Sequence, residues 1–449
     1  MLTCTLSEYI LSTSYNKLPE SVLIKAKECF TDFLGVALRG SQTKSGEAVR
    51  DIIKAGDEST IIGHDKTSTM EASLANGIFA HSLDLDDGHR MAQLHPGACV
   101  IPAALALCEA HNKTGKEFIE SIVAGYQVSI VLGMMVNPEH RNRGFHTTGT
   151  CGTLGAAAAA CKALDLNRTQ TTDALGLAGT QASGLLESDH SGSMGKHLHA
   201  GIAAQSGILS ALLAEKGFTG APTILEGVEG FFKATSGVDT SESQIGLLLQ
   251  DYKILEVYFK IYPVCRHLHS SIDALLEMVK EKHIKPGEIK KIMVSTYKIA
   301  AEHDNYYPAS TEALRQSLPV SMAVALLNEY SGLNPIDNFN YHPEDKEYNK
   351  KVAEISGKII IKDELNLNKK YPLFRPSRVS IQTLNDLYEK TIDLPYGEPE
   401  NPLNKSELHH KFINLNPKVD TEVLHIIENV DTYNDINHFM DDVNPFLKI

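Results

Sequence analysis

Asp84, Asp86, Asp87, His89, Arg90 and His95 stand together in a stretch that reads LANGIFAHSLDLDDGHRMAQLHPGACVIPA, positions 74–103. The flanking runs, 75–83 and 98–107, are small and apolar, so the polar insert lies between two helices expected to be buried. Ionisable groups that close to buried helix ends need partners or a ligand, because isolated burial of charge is costly. Three further clusters carry similar chemistry: His146 in GFHTTGT, Lys196 in GKHLH, and Lys260, Arg266 and His267 in FKIYPVCRHLH. Histidine suits proton transfer near neutral pH. Lysine and arginine suit carboxylates, or the charge that builds when carbon beside a carboxylate loses a proton.

Metal chemistry fits the spacing poorly. His89 and His95, or His197 and His199, do not match a helical pair of histidine ligands. A calcium loop counted from Asp84 would put its glycine one position early and His95 where a glutamate belongs. No convergent cysteine set supports an iron–sulfur cluster. No metal is therefore expected. Taken singly, each histidine is more often a hydrogen-bonded structural residue, and the aspartate run could cap helix amides. The functional reading rests on several such clusters falling in glycine-rich breaks between apolar helices.

The elements that must position these residues follow from periodicity. Helices are expected over 19–38, 68–83, 97–110, 115–136, 171–184 and 192–216, with a brief strand at 59–63. The run 144–163 describes a tight Gly/Thr loop leading into an alanine-rich, closely packed helix. It lacks the Gly-Lys-Ser/Thr ending of a phosphate loop, and 176–184 lacks the strand that precedes a dinucleotide fingerprint. After Glu256 the pattern becomes mixed: 289–299, 357–362 and 378–383 alternate like strands, while 314–327 and 343–355 look helical. Pro/Gly-rich breaks near 258–263 and 396–402 bound this α+β part, and the tail from Lys405 is helical again. The expected organisation is mainly α with an α+β lid. An all-helical domain covers 1–258, the smaller α+β domain 259–397, and helices at 398–449 return to the first domain.

The chain has 449 residues, 42% of them hydrophobic, and a formal net charge of −14. That length can bury a large core, and the acidity argues against a nucleic-acid partner. Seven cysteines without a C-x-x-C pair read as reduced thiols of a cytoplasmic protein. Apolar stretches are broken by Gly, His or charge, so no membrane span is expected.

The ordered set NG-x3-HSLDLDDGHR-x4-HPG, GFHTTGTCGTLGAAAAA, GKHLHAGIAAQSG, FKIYPVCRHLH and GEPENP resembles the MmgE/PrpD family across essentially the whole chain. That family includes 2-methylcitrate dehydratases, cis-aconitate decarboxylases and an iminodisuccinate epimerase. The resemblance implies a large helical domain, a smaller α+β domain, a homodimer and no cofactor. It places cleft residues at Asp84, His95, His146, Lys196 and Lys260. It also implies His95 or His146 as base, Asp84 orienting a histidine, and Lys196 with Lys260 on carboxylates, seconded by Arg90, Arg266 and His267. Gly88 stands where the decarboxylase branch is expected to have threonine, and Val320 where several members are expected to have tyrosine. Both departures point away from decarboxylation. The expected activity is a 2-methylcitrate- or citrate-type dehydratase acting on a small polycarboxylate, with an epimerase of an iminodisuccinate-like dicarboxylate as runner-up, then a cis-aconitate decarboxylase, and a non-catalytic scaffold as the outside case.

Overall fold

A computed structural model describes residues 1–331, 339 and 344–448. The protein is mainly α with a smaller α+β part, and it divides into two compact units. The first comprises Met1–Leu186, Gly195–Phe259 and Asn404–Ile449; the second comprises Glu187–Met194 and Lys260–Leu403. The short piece Glu187–Met194 joins the second unit although it lies deep within the run expected to be helical domain. Ser310 holds it there by donating a hydrogen bond to the Gly192 carbonyl, 2.7 Å away.

Local chemistry sets the helix ends of the first unit. Ser68 caps Thr69–His81, and Thr114 with Glu117 forms a capping box that opens Gly115–Val136. Asn167 and Gln170 do the same for Arg168–Gln181, which begins earlier than the apolar period alone predicted. Gly115–Val136 is long and apolar enough to cross a membrane by length and composition, contrary to the reading of broken apolar runs. Its most apolar window is 83% buried, however, and it serves as a core helix of this unit.

Small residues let the helices touch backbone to backbone. A Cβ on Gly77 would lie 2.8 Å from the Cα of Gly201, so Thr69–His81 and Gly195–Glu215 cross at van der Waals contact. That crossing sets His81, at the end of one helix, close to Lys196, at the start of the other. Behind them runs the alanine-rich helix Thr147–Ala163, almost wholly buried.

The second unit is built on a four-stranded sheet. Its order is Ile359–Asp363, Lys291–Thr296, Ser377–Gln382, Leu387–Ile392, with the first pair parallel and the others antiparallel. Alternation puts Ile292, Val294, Val379 and Ile381 in its core, with Ile272, Leu275 and Val279 of helix His269–Lys282 in the same cluster. The strand Leu387–Ile392 and the helix His269–Lys282 were not foreseen. That strand has no fully buried face, only exposed and half-buried positions, as suits an edge. The expected helix at 343–355 is found as Lys346–Ser356; Pro343 lies outside the described residues.

The C-terminal return of the chain is fastened by one buried cation. Lys411 of helix Lys405–Leu415 pairs with Asp32 and also donates to the Leu85 carbonyl, 2.9 Å away inside the aspartate run. Replacing Lys411 by methionine leaves the Asp32 carboxylate buried without its cation, at a cost of about 3–5 kcal/mol. Denaturant unfolding of Lys411→Met should show a loss of that order, and the double variant with Asp32→Asn should recover part of it.

Candidate active site

The aspartate run begins just beyond the end of helix Thr69–His81. Asp84 itself takes a left-handed backbone, φ 50°, which aspartate tolerates better than most side chains. Asp84, Asp86 and Asp87 are each no more than 3% exposed, so every carboxylate must be partnered within the protein.

The partners come from several segments of the same unit. Lys196, in the first turn of Gly195–Glu215, donates to Asp84 Oδ1 at 3.1 Å. Asp86 Oδ2 lies 2.8 Å from His81 Nδ1 and 3.5 Å from His95 Nδ1. Asp87 accepts from the Tyr126 hydroxyl at 2.6 Å and from the Gly97 amide at 3.0 Å. Burial drives the Asp87 carboxyl up to about 7, against the opposing pull of the Tyr126 hydrogen bond. Asp84 therefore sits on the lysine, and the carboxylate that orients histidines is Asp86, two residues beyond the one expected to do so.

His95 is fixed at both ends of its residue. Its amide donates to Thr148 Oγ1 at 3.1 Å, and its Nδ1 donates to the Asp87 carbonyl at 2.7 Å. That bond puts a hydrogen on His95 Nδ1, so in the neutral ring the lone pair is on Nε2. His146 precedes helix Thr147–Ala163, with its ring stacked on His81 at 5.7 Å and its Nδ1 2.9 Å from Nδ1 of His199. Burial first, then the neighbouring His81, Lys196, His199 and His95, hold its pKa well below the usual histidine value. A neutral, buried imidazole beside a lysine and a second lone-pair imidazole is equipped for proton transfer.

His81 and His199 complete the cluster with Asp86, although neither histidine was among the expected site residues. His199 was legible in part, since it lies one helical turn beyond Lys196 on the same helix. His81 was hidden as the last residue of an apolar helix. Together His81, Asp86 and His95 bring one potential ligand atom each within 4.8 Å, so the fold assembles a possible metal-binding trio that linear spacing did not predict. Their Nδ1 atoms are, however, already engaged in hydrogen bonds, to Asp86 and to the Asp87 carbonyl. Those hydrogen bonds fix the orientation of both rings.

Gly88 and His89 pair with Tyr258 and Val257 in a two-residue antiparallel ribbon. A Cβ on Gly88 would meet the Tyr258 hydroxyl at 2.4 Å, so the tyrosine fills the space any larger residue would need. His89 accepts from the Ala92 amide at 3.1 Å and lies 3.1 Å from Glu256, which opposes burial and stays at about 2 through His89 and Lys253. His89 is thereby a structural residue, and Arg90 is half-buried at the end of the same ribbon.

Lys260, Arg266 and His267 belong to the second unit. Lys260 is fully buried. Arg266 does not match the expected role of carboxylate ligand: its Nε and Nη2 both donate to Glu398, at 3.1 and 3.0 Å, and Nη1 donates to the Tyr396 carbonyl. A guanidinium so engaged is structural. His267 meets the Tyr297 hydroxyl and, at 2.9 Å, Nη1 of Arg375.

Models of the MmgE/PrpD N-terminal domain and the MmgE/PrpD C-terminal domain match residues 4–244 and 262–434. Similar curated proteins include a cis-aconitate decarboxylase-like protein of Aspergillus oryzae, 25% identical over 95% of this chain and 93% of that protein. The cis-aconitate decarboxylase of Aspergillus terreus is 24% identical over 94% of this chain and 90% of its own. That of Homo sapiens is 27% identical over 88% and 83%.

The raised Asp87 carboxyl has a consequence for stability. Between about 4, the ordinary carboxylate value, and about 7, the folded protein holds a proton that the unfolded chain lacks. Its contribution is therefore complete below that window and is lost as pH rises through about 7, at up to about 1.4 kcal/mol per pH unit. Asp87→Asn should flatten this part of the stability profile, read as denaturant midpoints at pH 5 and pH 8 in both proteins.

Proposed function

The chain belongs to the MmgE/PrpD family, and we propose that it is a metal-independent acid–base lyase acting at the carbon next to a carboxylate of a small polycarboxylate. The observation that carries this reading is the joining of the buried aspartate run to Lys196 and to two histidines suited to moving protons. Lys196 would bind the substrate carboxylate and stabilise the enediolate-like charge that forms as the neighbouring C–H bond breaks. His95 would take that proton at Nε2, since its Nδ1–H is held on the Asp87 carbonyl. His146 would deliver a proton to the departing group. Asp86 would hold His81 and His95 in place and favour the imidazolium that forms.

Within that class the reading is dehydration of a citrate-type acid, such as 2-methylcitrate, in which His146 protonates the leaving hydroxyl. The names of the relatives favour cis-aconitate decarboxylation as the second reading. Against it stands Gly88: Tyr258 leaves no room there for the threonine expected in the decarboxylase branch. An epimerase would use the same groups without losing water.

Incubation with tricarboxylates and amino-dicarboxylates in heavy water separates these outcomes. Loss of water supports dehydration, loss of carbon dioxide supports decarboxylation, and deuterium entry alone supports epimerisation. Lys196→Ala should lower kcat about 100- to 1,000-fold, and chelator treatment should leave the wild-type rate unchanged. Absence of turnover and of exchange with every candidate, in wild type and variant alike, would contradict the enzymatic reading.

A further inference from the structure

His146 presents a chemical problem. It is 6% exposed and its surroundings disfavour its charged form, yet delivery of a proton to a leaving group requires a supply of protons. The geometry supplies an answer in its second ring nitrogen. His146 Nδ1 lies 2.9 Å from His199 Nδ1, with ring centroids 5.1 Å apart. Two imidazoles meeting through the same nitrogen type can share only one bridging proton: one ring donates and the other accepts. The position of that proton decides what His146 does on its far side. If His199 carries it, neutral His146 bears its hydrogen on Nε2 and is a donor; if His146 carries it, Nε2 has a lone pair and is an acceptor.

His199 is built into this contact. It extends from the first turns of Gly195–Glu215, and its side chain passes close to two glycines. A Cβ on Gly149 would lie 3.2 Å from the His199 Cβ, and a Cβ on Gly184 would lie 3.3 Å from its ring. The His146 amide in turn donates to the Gly184 carbonyl at 3.0 Å. Unlike His146, His199 is half-buried.

We infer that His199 is a positioning and proton-relay residue, sharing a bridging proton with His146 and switching it between acid and base. This rests on the acid–base reading above. In the acid direction, His199 takes a proton from water at Nε2, and its Nδ1–H passes to His146 Nδ1 while the His146 Nε2–H passes to the leaving hydroxyl, which departs as water. His199 ends neutral with its hydrogen on Nε2, and His146 ends neutral with its hydrogen on Nδ1. The net transfer is one proton from solvent to the leaving group. The reset runs in reverse: a proton gained at His146 Nε2 drives the bridging proton back to His199, which releases its Nε2–H to water.

The test uses full-length protein labelled with 15N in the histidine rings, and three substitutions of His199. His199→Phe keeps an aromatic ring but removes the bond; His199→Gln keeps a donor to His146 Nδ1 but cannot relay. Ring 15N spectra should show the His146 tautomer shifted by His199→Phe and retained by His199→Gln. Both variants should lose kcat about 10- to 100-fold with KM within about twofold. Added imidazole should restore part of kcat to His199→Ala, whose vacated, half-open space can admit it. Wild-type kcat in His199→Gln would overturn the relay, and a His146 tautomer unmoved by His199→Phe would overturn the bridging proton. If wild-type enzyme turns over no polycarboxylate, the acid–base reading fails, whereas the 15N spectra still decide whether the two rings share a proton.

Discussion

Three carboxylates buried within four residues form the constraint around which the helical unit is arranged. None of Asp84, Asp86 and Asp87 can remain inside the protein as an isolated charge. The chain meets that demand with groups drawn from distant segments: Lys196 for Asp84, His81 and His95 for Asp86, Tyr126 and the Gly97 amide for Asp87. Lys411 adds a clasp from the C-terminal tail by holding both Asp32 and the Leu85 carbonyl. Satisfying the carboxylates thus assembles the histidines and the lysine as a by-product, and the same polar network that stabilises the fold also creates the site.

The close helix crossings are what make this network geometrically possible. Contact between Gly77 and Gly201 removes the side-chain layer that would otherwise separate two helices, so end groups on each can meet. Rigid, small-residue packing behind the site also limits motion of His146 and Lys196, which proton transfer requires. A looser core would leave the imidazoles free to choose other partners. Here each described ring has a fixed nitrogen facing a fixed oxygen or nitrogen.

Much of this was legible in the chain. The helix starts expected at 68 and 115 fall within a residue of the observed Thr69–His81 and Gly115–Val136, whereas the start fixed by the Asn167 cap was missed because apolar periodicity does not mark it. The clusters around Asp84, His95, His146 and Lys196 stood out because charge interrupts apolar helices. The assignment of carboxylate to histidine did not, because Asp84 and Asp86 are indistinguishable until the left-handed backbone at Asp84 fixes their directions. His81 was invisible for a similar reason: an apolar helix end gives no sign that its last side chain turns inward. Arg266 shows the converse error, as a cation in a histidine-rich motif proved to be committed to Glu398, more than a hundred residues away. Long-range pairing of that kind has no linear signature.

The central claim is that this carboxylate–histidine–lysine cluster is where a polycarboxylate reacts. A crystal structure with tricarballylate, a tricarboxylate that has no hydroxyl to lose, tests it most directly. The account predicts one carboxylate on Lys196 Nζ and the adjacent carbon about 3–3.5 Å from the Nε2 of His95 or His146. A fully occupied ligand bound away from all three residues would contradict it.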